Sequence, residues 1–154
     1  WLFYEQLVGP DDHWLPPDHL QEAPRGVVAH RTSPTNVGLY LLSVLAAHDL
    51  GYIAASDYLL RLRFTFDTLA RLERYRGHFL NWIDTSTLAP LPPGYVSTVD
   101  SGNLAACLVA LRHPAVIGPC DGVHELGATV RVRLEEADIA RHTIRFATVA
   151  PSAR

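Results

Sequence analysis

Hydrophobic residues fill almost every position between Val37 and Ala47, and no charged residue interrupts them. A helix that is apolar around its whole axis is typically buried on every side. Just before this run, Ser33 and Pro34 form a strong helix start, because serine is a favoured N-cap and proline fits the first helical position. We predict a buried helix that runs to Leu50 and stops at Gly51.

The next segment, from Ala54 to about Arg74, has a one-sided pattern. Its hydrophobic and charged residues fall on opposite sides of a helix, Leu59, Leu62, Phe66, Leu69 and Leu72 against Asp57, Arg61, Asp67, Arg71 and Arg74. The pattern predicts an amphipathic helix with one face in water. A buried helix followed by an amphipathic one is the repeating unit of a two-layered helical barrel, although a simple bundle gives the same order.

A long stretch, residues 75–100, separates the second helix from a third. Prolines and aromatic residues occur together in it, which favours a functional loop over a disordered one. Asp100 or Ser101 then caps a third, largely apolar helix that runs from Asn103 to about Arg112. The expected fold class is therefore mainly α, with one long loop.

The two ends of the chain lack a helical pattern. Residues 1–30 are dense in proline yet contain tryptophans, so we predict an ordered, extended arm laid over the helices. Thr129–Leu134 and Thr143–Val149 alternate with period two, which predicts two strands that could pair as a C-terminal β-hairpin. His124 and His142 are expected on the surface. We therefore expect a helical domain over residues 1–114 and a strand-like tail over residues 115–154.

Composition narrows the class of protein. The 154 residues have the length of one domain, and 48% hydrophobic with 19% charged residues is typical of a globular chain. A net charge of −3 with scattered basic residues gives no reason to expect nucleic acid. Cys107 and Cys120 form no metal or redox motif, and Cys107 is expected to be buried and reduced. No apolar run is long enough to cross a bilayer, and the absence of methionine suggests a piece of a longer protein.

Two polar clusters carry the candidate chemistry, Gly77–Thr85 and Val99–Leu104. An indole beside fixed amide and acid groups suits a sugar, whose C–H face stacks on the ring and whose hydroxyls pair with polar side chains. The alternative is that the polar residues only cap helices and that the tryptophan fills the core. The candidate substrate-binding residues are Arg31, Asn36, His78, Asn81, Trp82, Ser101 and Asn103. Asp84 and Asp100 are the carboxylates to consider for acid or base roles.

Arg31 has an alternative role, a salt bridge to a carboxylate of the arm such as Glu22. We predict no metal and no cofactor.

Five motifs in order resemble the central glucoamylase-like region of the cyclic β-1,2-glucan synthases. They are Leu15–Asp18, Arg31–Tyr40, Leu72–Arg74, Gly77–Thr85 and Tyr95–Leu104. The sequence departs from the family at Leu80 and Ile83, where the family usually has tyrosine, and at His19, where it usually has asparagine. The motif resemblance ends near Leu111, so only the N-terminal part of that region is expected here.

The resemblance implies the first part of an (α/α)6 barrel in a large bacterial inner-membrane enzyme, on its cytoplasmic side. It implies β-1,2-glucan or another glucose polymer as ligand and the rest of the parent polypeptide as partner. The catalytic glutamates of the family are expected in helices beyond this chain, so the isolated chain is expected to be inactive. Two other hypotheses are a non-catalytic helical module that binds a saccharide or a protein, and a truncated product without function.

Overall fold

The computed structural model describes residues 1–112, 120–121, 130, 132–138 and 143–149. The chain divides into two compact units, Trp1–Pro114 and Ala115–Arg154. The helices of the first unit are α1 (Leu2–Leu7), α2 (Pro34–Asp49), α3 (Ala55–Arg71) and α4 (Thr98–Arg112). Its strands are β1 (Leu20–Gln21), β2 (Val27–Val28), β3 (Arg31–Thr32), β4 (Arg74–Tyr75), β5 (His78–Phe79), β6 (Asn81–Asp84) and β7 (Pro90–Tyr95).

Helix α2 begins and ends where its sequence signals predict. The Ser33 hydroxyl accepts a hydrogen bond from the Asn36 backbone N–H at 3.2 Å, and proline occupies the first turn. At the other end Gly51 has a left-handed φ of +77°, which glycine adopts without steric cost. Within this chain α2 is not buried on every side, because Leu39 is 49% exposed, and its burial stays a prediction for the intact parent protein. Helices α3 and α4 contact other sides of α2 and leave Leu39 in solvent.

Helices α2 and α4 come close together at Gly38. A Cβ at this position would lie 3.0 Å from both Cβ and Sγ of Cys107 and 3.3 Å from Cα of Leu104. Cys107 is buried and free, as predicted, and burial raises the pKa of its thiol. The adjoining core cluster consists of Leu15, Val37, Leu41, Leu69, Leu72, Ile83 and Leu104.

The buried face of α3 differs in part from the predicted one, although Leu69 and the following Leu72 are buried as predicted. Leu59 and Phe66 are exposed, whereas Thr65 and Thr68 are fully buried. The reason is polar: the Thr68 hydroxyl donates to the His13 carbonyl oxygen at 2.8 Å. The Thr65 hydroxyl likewise bonds backbone carbonyl oxygens. Because the N-terminal arm presents carbonyl groups to α3, threonines rather than leucines face it.

Residues 1–30 are ordered but not extended throughout. They begin with α1 and a short 3-10 turn at Pro10–Asp12, and β1 and β2 then pair as an antiparallel hairpin. The prediction of an extended arm is therefore wrong for the first residues. Tyr4 explains the helical start, because its ring packs on Tyr40 of α2 with ring centroids 5.3 Å apart.

The predicted loop over residues 75–100 forms two small sheets instead. Strands β4 and β5 make a tight antiparallel hairpin, and β6 pairs on one side with β3 and on the other with β7. The prolines of this stretch lie in β7, at the edge of the three-stranded sheet, where a strand tolerates missing N–H donors. The sheet brings Arg31 opposite Asp84, far apart in sequence.

Helix α4 begins at Thr98, five residues before the predicted start at Asn103. The Ser97 hydroxyl accepts a hydrogen bond from the Asp100 backbone N–H at 3.1 Å, so Ser97 is the cap. Asp100 and Ser101 therefore lie inside the helix, and the prediction that one of them caps it is wrong. Their side chains are therefore available to contact other residues, Asp100 with Asn81 and Ser101 with His78.

The second unit contains a three-stranded sheet in the order β8-β10-β9. The strands are β8 (Cys120–Asp121), β9 (Val132–Asp138) and β10 (Thr143–Thr148). As predicted, two antiparallel strands pair here, although β9 ends later than the predicted Leu134. Strand β8 pairs with β10 in parallel. His124 and His142 lie outside the described residues.

Candidate functional site

The N-terminal turn of α2 is the place where most of the predicted site residues meet. Strand β3 ends one residue before the Ser33 cap and places Arg31 there, while the first turn of α2 supplies Asn36. Strand β6, hydrogen-bonded to β3, supplies Asn81 and Trp82. Asp100 and Asn103 come from the first turns of α4, which packs on α2.

Asp18 joins two of these residues. Its Oδ2 accepts hydrogen bonds from Nε and Nη2 of Arg31 at 3.2 and 3.0 Å, and its Oδ1 accepts from Nδ2 of Asn36 at 3.3 Å. Burial alone raises the pKa of Asp18, but hydrogen bonds from His19, Arg31 and Asn36 bring the net pKa below its ordinary value. The arm carboxylate paired with Arg31 is thus Asp18 and not Glu22.

Trp82 stands next to this pair. The guanidinium carbon of Arg31 lies 5.0 Å from the centroid of the Trp82 ring, within the range of a cation–π contact. Trp82 is half-buried and belongs to neither hydrophobic cluster of the described core, so it does not simply fill the interior. One ring face carries a cation, and part of the indole remains open to solvent.

A second hydrogen-bonded group lies between β6 and α4. Nδ2 of Asn81 donates to Oδ2 of Asp100 at 3.1 Å. Burial raises the pKa of Asp100, but hydrogen bonds with the hydroxyl groups of Ser97, Thr35 and Ser33 and with the Asn81 amide bring the net pKa below its ordinary value. Asn81 is 1% exposed, and its Oδ1 has no hydrogen-bond partner among the described residues.

Asn103 and Ser101 extend this group along α4. Nδ2 of Asn103 donates to the Thr35 hydroxyl at 3.1 Å, which ties α4 to the first turn of α2. Ser101 faces His78, with 3.3 Å between the Ser101 hydroxyl and the His78 Nδ1. This second pair borders a groove of about 140 Å³ whose other walls are mostly apolar.

Asp84 is engaged by its own turn. Its Oδ1 accepts hydrogen bonds from the backbone N–H of Ser86 at 3.0 Å and of Thr87 at 2.8 Å, and from the Thr87 hydroxyl at 3.0 Å. The Thr87 backbone N–H is the main cause of a lowered pKa at Asp84. A general acid needs a raised pKa, whereas the pKa values of Asp84 and Asp100 are both lowered. Both carboxylates are therefore suited to accept hydrogen bonds.

Two side-chain arrangements escaped sequence reasoning. Asp18 stands inside the motif Leu15–Asp18, and only that motif could have drawn attention to it. The other arrangement is the buried carboxylate of Asp12, which accepts hydrogen bonds from His30 Nδ1 at 2.8 Å and from the Thr85 hydroxyl. These partners are separated from Asp12 by 18 and 73 positions, so no local signal links them.

The described residues contain neither a metal-binding cluster nor a helix that could span a membrane. Within the parts of the chain that the structure describes, no three His, Cys, Asp or Glu side chains converge as a metal site would require. Across the same residues, no helix is both long and apolar enough to cross a bilayer.

The fold is similar to that of a glucoamylase-like protein. A crystal structure of that protein from Bacteroides fragilis superposes with a TM-score of 0.59 over 70% of this chain and 27% of the other. The sequences are 19% identical, so the similarity defines the fold alone. The matched 70% of this chain thus has a fold similar to that of the glucoamylase-like protein.

A much closer sequence relative is the cyclic β-(1,2)-glucan synthase NdvB of Rhizobium meliloti (strain 1021). The two are 41% identical over 155 aligned residues, which cover 94% of this chain and 6% of the synthase. The resemblance predicted from the five motifs is therefore confirmed. The expectation that it ends near Leu111 is wrong, because the unaligned remainder is only about nine residues of this chain.

A third similarity covers a smaller part of the chain. Residues 93–149 match the family described as the RNase II-type exonuclease C-terminal S1 domain. This range is under half of the chain and crosses the boundary between the two compact units. It also includes α4, which packs on α2 in the first unit.

Proposed function

We propose that this chain contributes part of the glucan-binding cleft of a bacterial glucan-synthesising enzyme that transfers and cyclises β-1,2-glucan. The synthase relative and the glucoamylase-like fold support the class of ligand and the architecture. In this proposal the helices are the first part of an (α/α)6 barrel, and the rest of the parent polypeptide completes it. The parent is a bacterial inner-membrane protein, and this part lies on its cytoplasmic side.

The observation that carries the proposal is the group formed by Asp18, Arg31, Asn36 and Trp82. A partly open indole offers a face or edge to sugar C–H groups, while an adjacent carboxylate, guanidinium and amide can share hydrogen bonds with vicinal hydroxyls. Their mutual hydrogen bonds fix these groups before a ligand arrives, which lowers the ordering cost of binding. The remaining candidates, His78, Asn81, Ser101 and Asn103, extend the cleft along α4.

In the proposal this chain binds glucan and does not by itself perform the chemistry. Asp84 and Asp100 are held as hydrogen-bond acceptors, and the lowered pKa of each disfavours a general-acid role. We therefore expect no cyclic or shortened products when the isolated chain is incubated with linear β-1,2-glucan and analysed by mass spectrometry. Turnover that survives repurification would assign catalysis to this chain, with Asp84 and Asp100 as the first residues to test.

The decisive test is Trp82→Ala in the full-length protein that contains these residues. Loss of the indole should weaken glucan binding by about 1–3 kcal/mol, the scale of a buried aromatic contact, with little change in unfolding temperature. Tyr52→Ala is the matched control, because Tyr52 is an exposed aromatic residue past the opposite end of α2. A large fall in unfolding temperature with unchanged affinity per folded molecule would make Trp82 structural.

The alternative function is a non-catalytic helical module that binds a saccharide or a protein. The lowered pKa values of Asp84 and Asp100 disfavour a general-acid role, and the non-catalytic alternative is compatible with them. Glucan affinity without any contribution to turnover in the full-length protein separates this alternative from the first. A chain that shows no cooperative unfolding transition would instead support a truncated product without function.

A further inference from the structure

We infer that His19 makes glucan binding sensitive to pH, because it shares one oxygen of Asp18 with Arg31. Protonation of His19 should loosen the Arg31 guanidinium from this carboxylate and from the Trp82 ring, so glucan should bind more weakly in acid. The inference rests on the proposed function, because it assumes that Trp82 and Arg31 face a glucan. It adds a positioning residue that lies outside the predicted binding set.

The Oδ2 atom of Asp18 serves more donors than it has lone pairs. Nδ1 of His19 lies 3.0 Å from this oxygen, and Nε and Nη2 of Arg31 lie 3.2 and 3.0 Å from it. A carboxylate oxygen offers about two lone-pair directions. The three donors therefore compete, and a stronger bond to His19 weakens the bonds to Arg31.

The geometry fixes which nitrogen of His19 can take up a proton. Because the ionised Asp18 carboxylate only accepts hydrogen bonds, Nδ1 of the neutral ring carries the hydrogen that it accepts. The remaining site is Nε2, and the His19 side chain is 55% exposed, so water reaches the ring. Histidine is the side chain that ordinarily changes charge near neutral pH. Uptake of a proton leaves the hydrogen bond in place and adds a positive charge to it.

The added charge acts on Arg31 and, through it, on Trp82. Two cations then share one carboxylate, so they repel each other while the charged imidazolium binds Asp18 more strongly. The Arg31 side chain is 44% exposed and has room to move. Its guanidinium carbon lies 5.0 Å from the Trp82 centroid, and this contact loses its anchor. The binding group is then less ordered before glucan arrives, which lowers the affinity.

Asp18 is the only charged side chain among the described residues that forms an ion pair with His19. The charged groups on the surrounding elements are bound elsewhere or exposed to solvent. They are Arg31 on β3, Asp84 on β6, the His30–Asp12 pair, and Glu22 and Arg25 on the β1–β2 hairpin. The effect of protonation therefore reaches Arg31 through Asp18.

The experiment compares glucan affinity at two pH values. A linear β-1,2-gluco-oligosaccharide is titrated into the full-length protein in a calorimeter at about pH 8 and about pH 5.5, which span the range in which histidines change charge. We expect roughly threefold weaker binding at the lower pH, the scale of a partly exposed ion pair. His19→Asn keeps an N–H donor for Asp18 but cannot take up a proton, so it should bind equally well at both pH values.

His48→Asn is the matched control. His48 also pairs with a neighbouring aspartate, Asp49, at 3.3 Å, but at the far end of α2. This variant should keep the pH dependence of the unmodified protein. Because protonation and glucan binding oppose each other, binding at the lower pH should also release part of a proton. Titrations in two buffers with different ionisation enthalpies measure this release, which His19→Asn should abolish.

The role of Trp82 in the same titrations separates the two proposals. Trp82-dependent binding that is equally tight at both pH values would overturn the inference and leave the proposed function standing. So would binding that weakens in acid to the same extent in His19→Asn, and His78 would then be the histidine to test. Absence of any Trp82-dependent binding would overturn both the inference and the proposed function.

Discussion

His30 and Arg31 are consecutive residues, yet each is paired with a different aspartate and the two pairs have different surroundings. His30 binds Asp12, whose carboxylate also accepts a hydrogen bond from the fully buried Thr85 hydroxyl. Arg31 binds Asp18, whose other partners remain accessible. An aspartate that satisfies a buried donor stabilises the fold, whereas one that satisfies exposed donors arranges a surface.

The largest effect is expected for Asp12→Ala. The change leaves the buried Thr85 hydroxyl without its acceptor, so the free energy of unfolding should fall by about 3 kcal/mol. Urea denaturation of the chain measures this loss. Asp11→Ala is the control, because Asp11 is exposed on the same 3-10 turn. A loss at Asp12 no larger than that at Asp11 would contradict the buried role.

Acidification should give the next largest effect. The pKa values of Asp18, Asp84 and Asp100 are lowered in the folded protein from an ordinary value of 3.8. A group with a lowered folded pKa contributes stability that is present above the unfolded pKa and is lost as the pH falls through the folded pKa. Unfolding temperature should therefore decline steeply below about pH 3.8. Stability that holds constant through this range would refute the ionised state of the three carboxylates.

Asp18→Ala should cost much less stability than Asp12→Ala. The Asp18–Arg31 pair is partly solvent-exposed, and exposed ion pairs contribute about 0–1 kcal/mol. Urea denaturation measures the loss in free energy of unfolding, with the Asp18→Ala and Asp12→Ala variants purified and measured in the same way. A loss comparable to that of Asp12→Ala would erase the contrast between the two aspartates and make the Asp18 group structural.

The smallest effect is expected for Glu22→Gln. Glu22 was the arm carboxylate suggested as a partner for Arg31, but the structure pairs Arg31 with Asp18. Because Glu22 is exposed, its substitution should change the free energy of unfolding by no more than about 0.5 kcal/mol in either direction. A clear destabilisation that disappears in an Arg31→Gln background would show that Glu22 competes with Asp18 for the guanidinium.

Local signals predicted part of the fold well. The start and end of α2 depend on Ser33, Pro34 and Gly51, which act through their own backbone conformations and nearest neighbours. The stretch after α3 was predicted as a loop, because its strands are short and contain prolines. Strands β4 and β5, and β6 and β7, pair within the stretch, but β6 also pairs with β3, about fifty positions earlier in the chain, and no local pattern reports such a partner.

The buried face of α3 and the candidate site also depend on residues that are distant in sequence, which local patterns do not report. Threonines face inward on α3 because the arm supplies carbonyl oxygens, which the helical period cannot reveal. Sequence reasoning selected Arg31 and Trp82, and the structure places the two side chains in contact. Sequence reasoning could not select Asp18 over Glu22, because both carboxylates lie in the same arm. Only the folded conformation of the arm decides which one reaches Arg31.

The contact between Gly38 and Cys107 restricts how this sequence can drift during evolution. A methyl group at position 38 would lie 3.0 Å from Cβ and Sγ of Cys107 and 3.3 Å from Cα of Leu104, so a larger residue requires these neighbours to shift by a few tenths of an ångström. Positions 38 and 107 are therefore expected to change together. Thr35 and Asn103, one turn away on the same two helices, inherit their spacing from this constraint. Lineages that kept the glycine could vary the polar residues around it while preserving the distance between the helices.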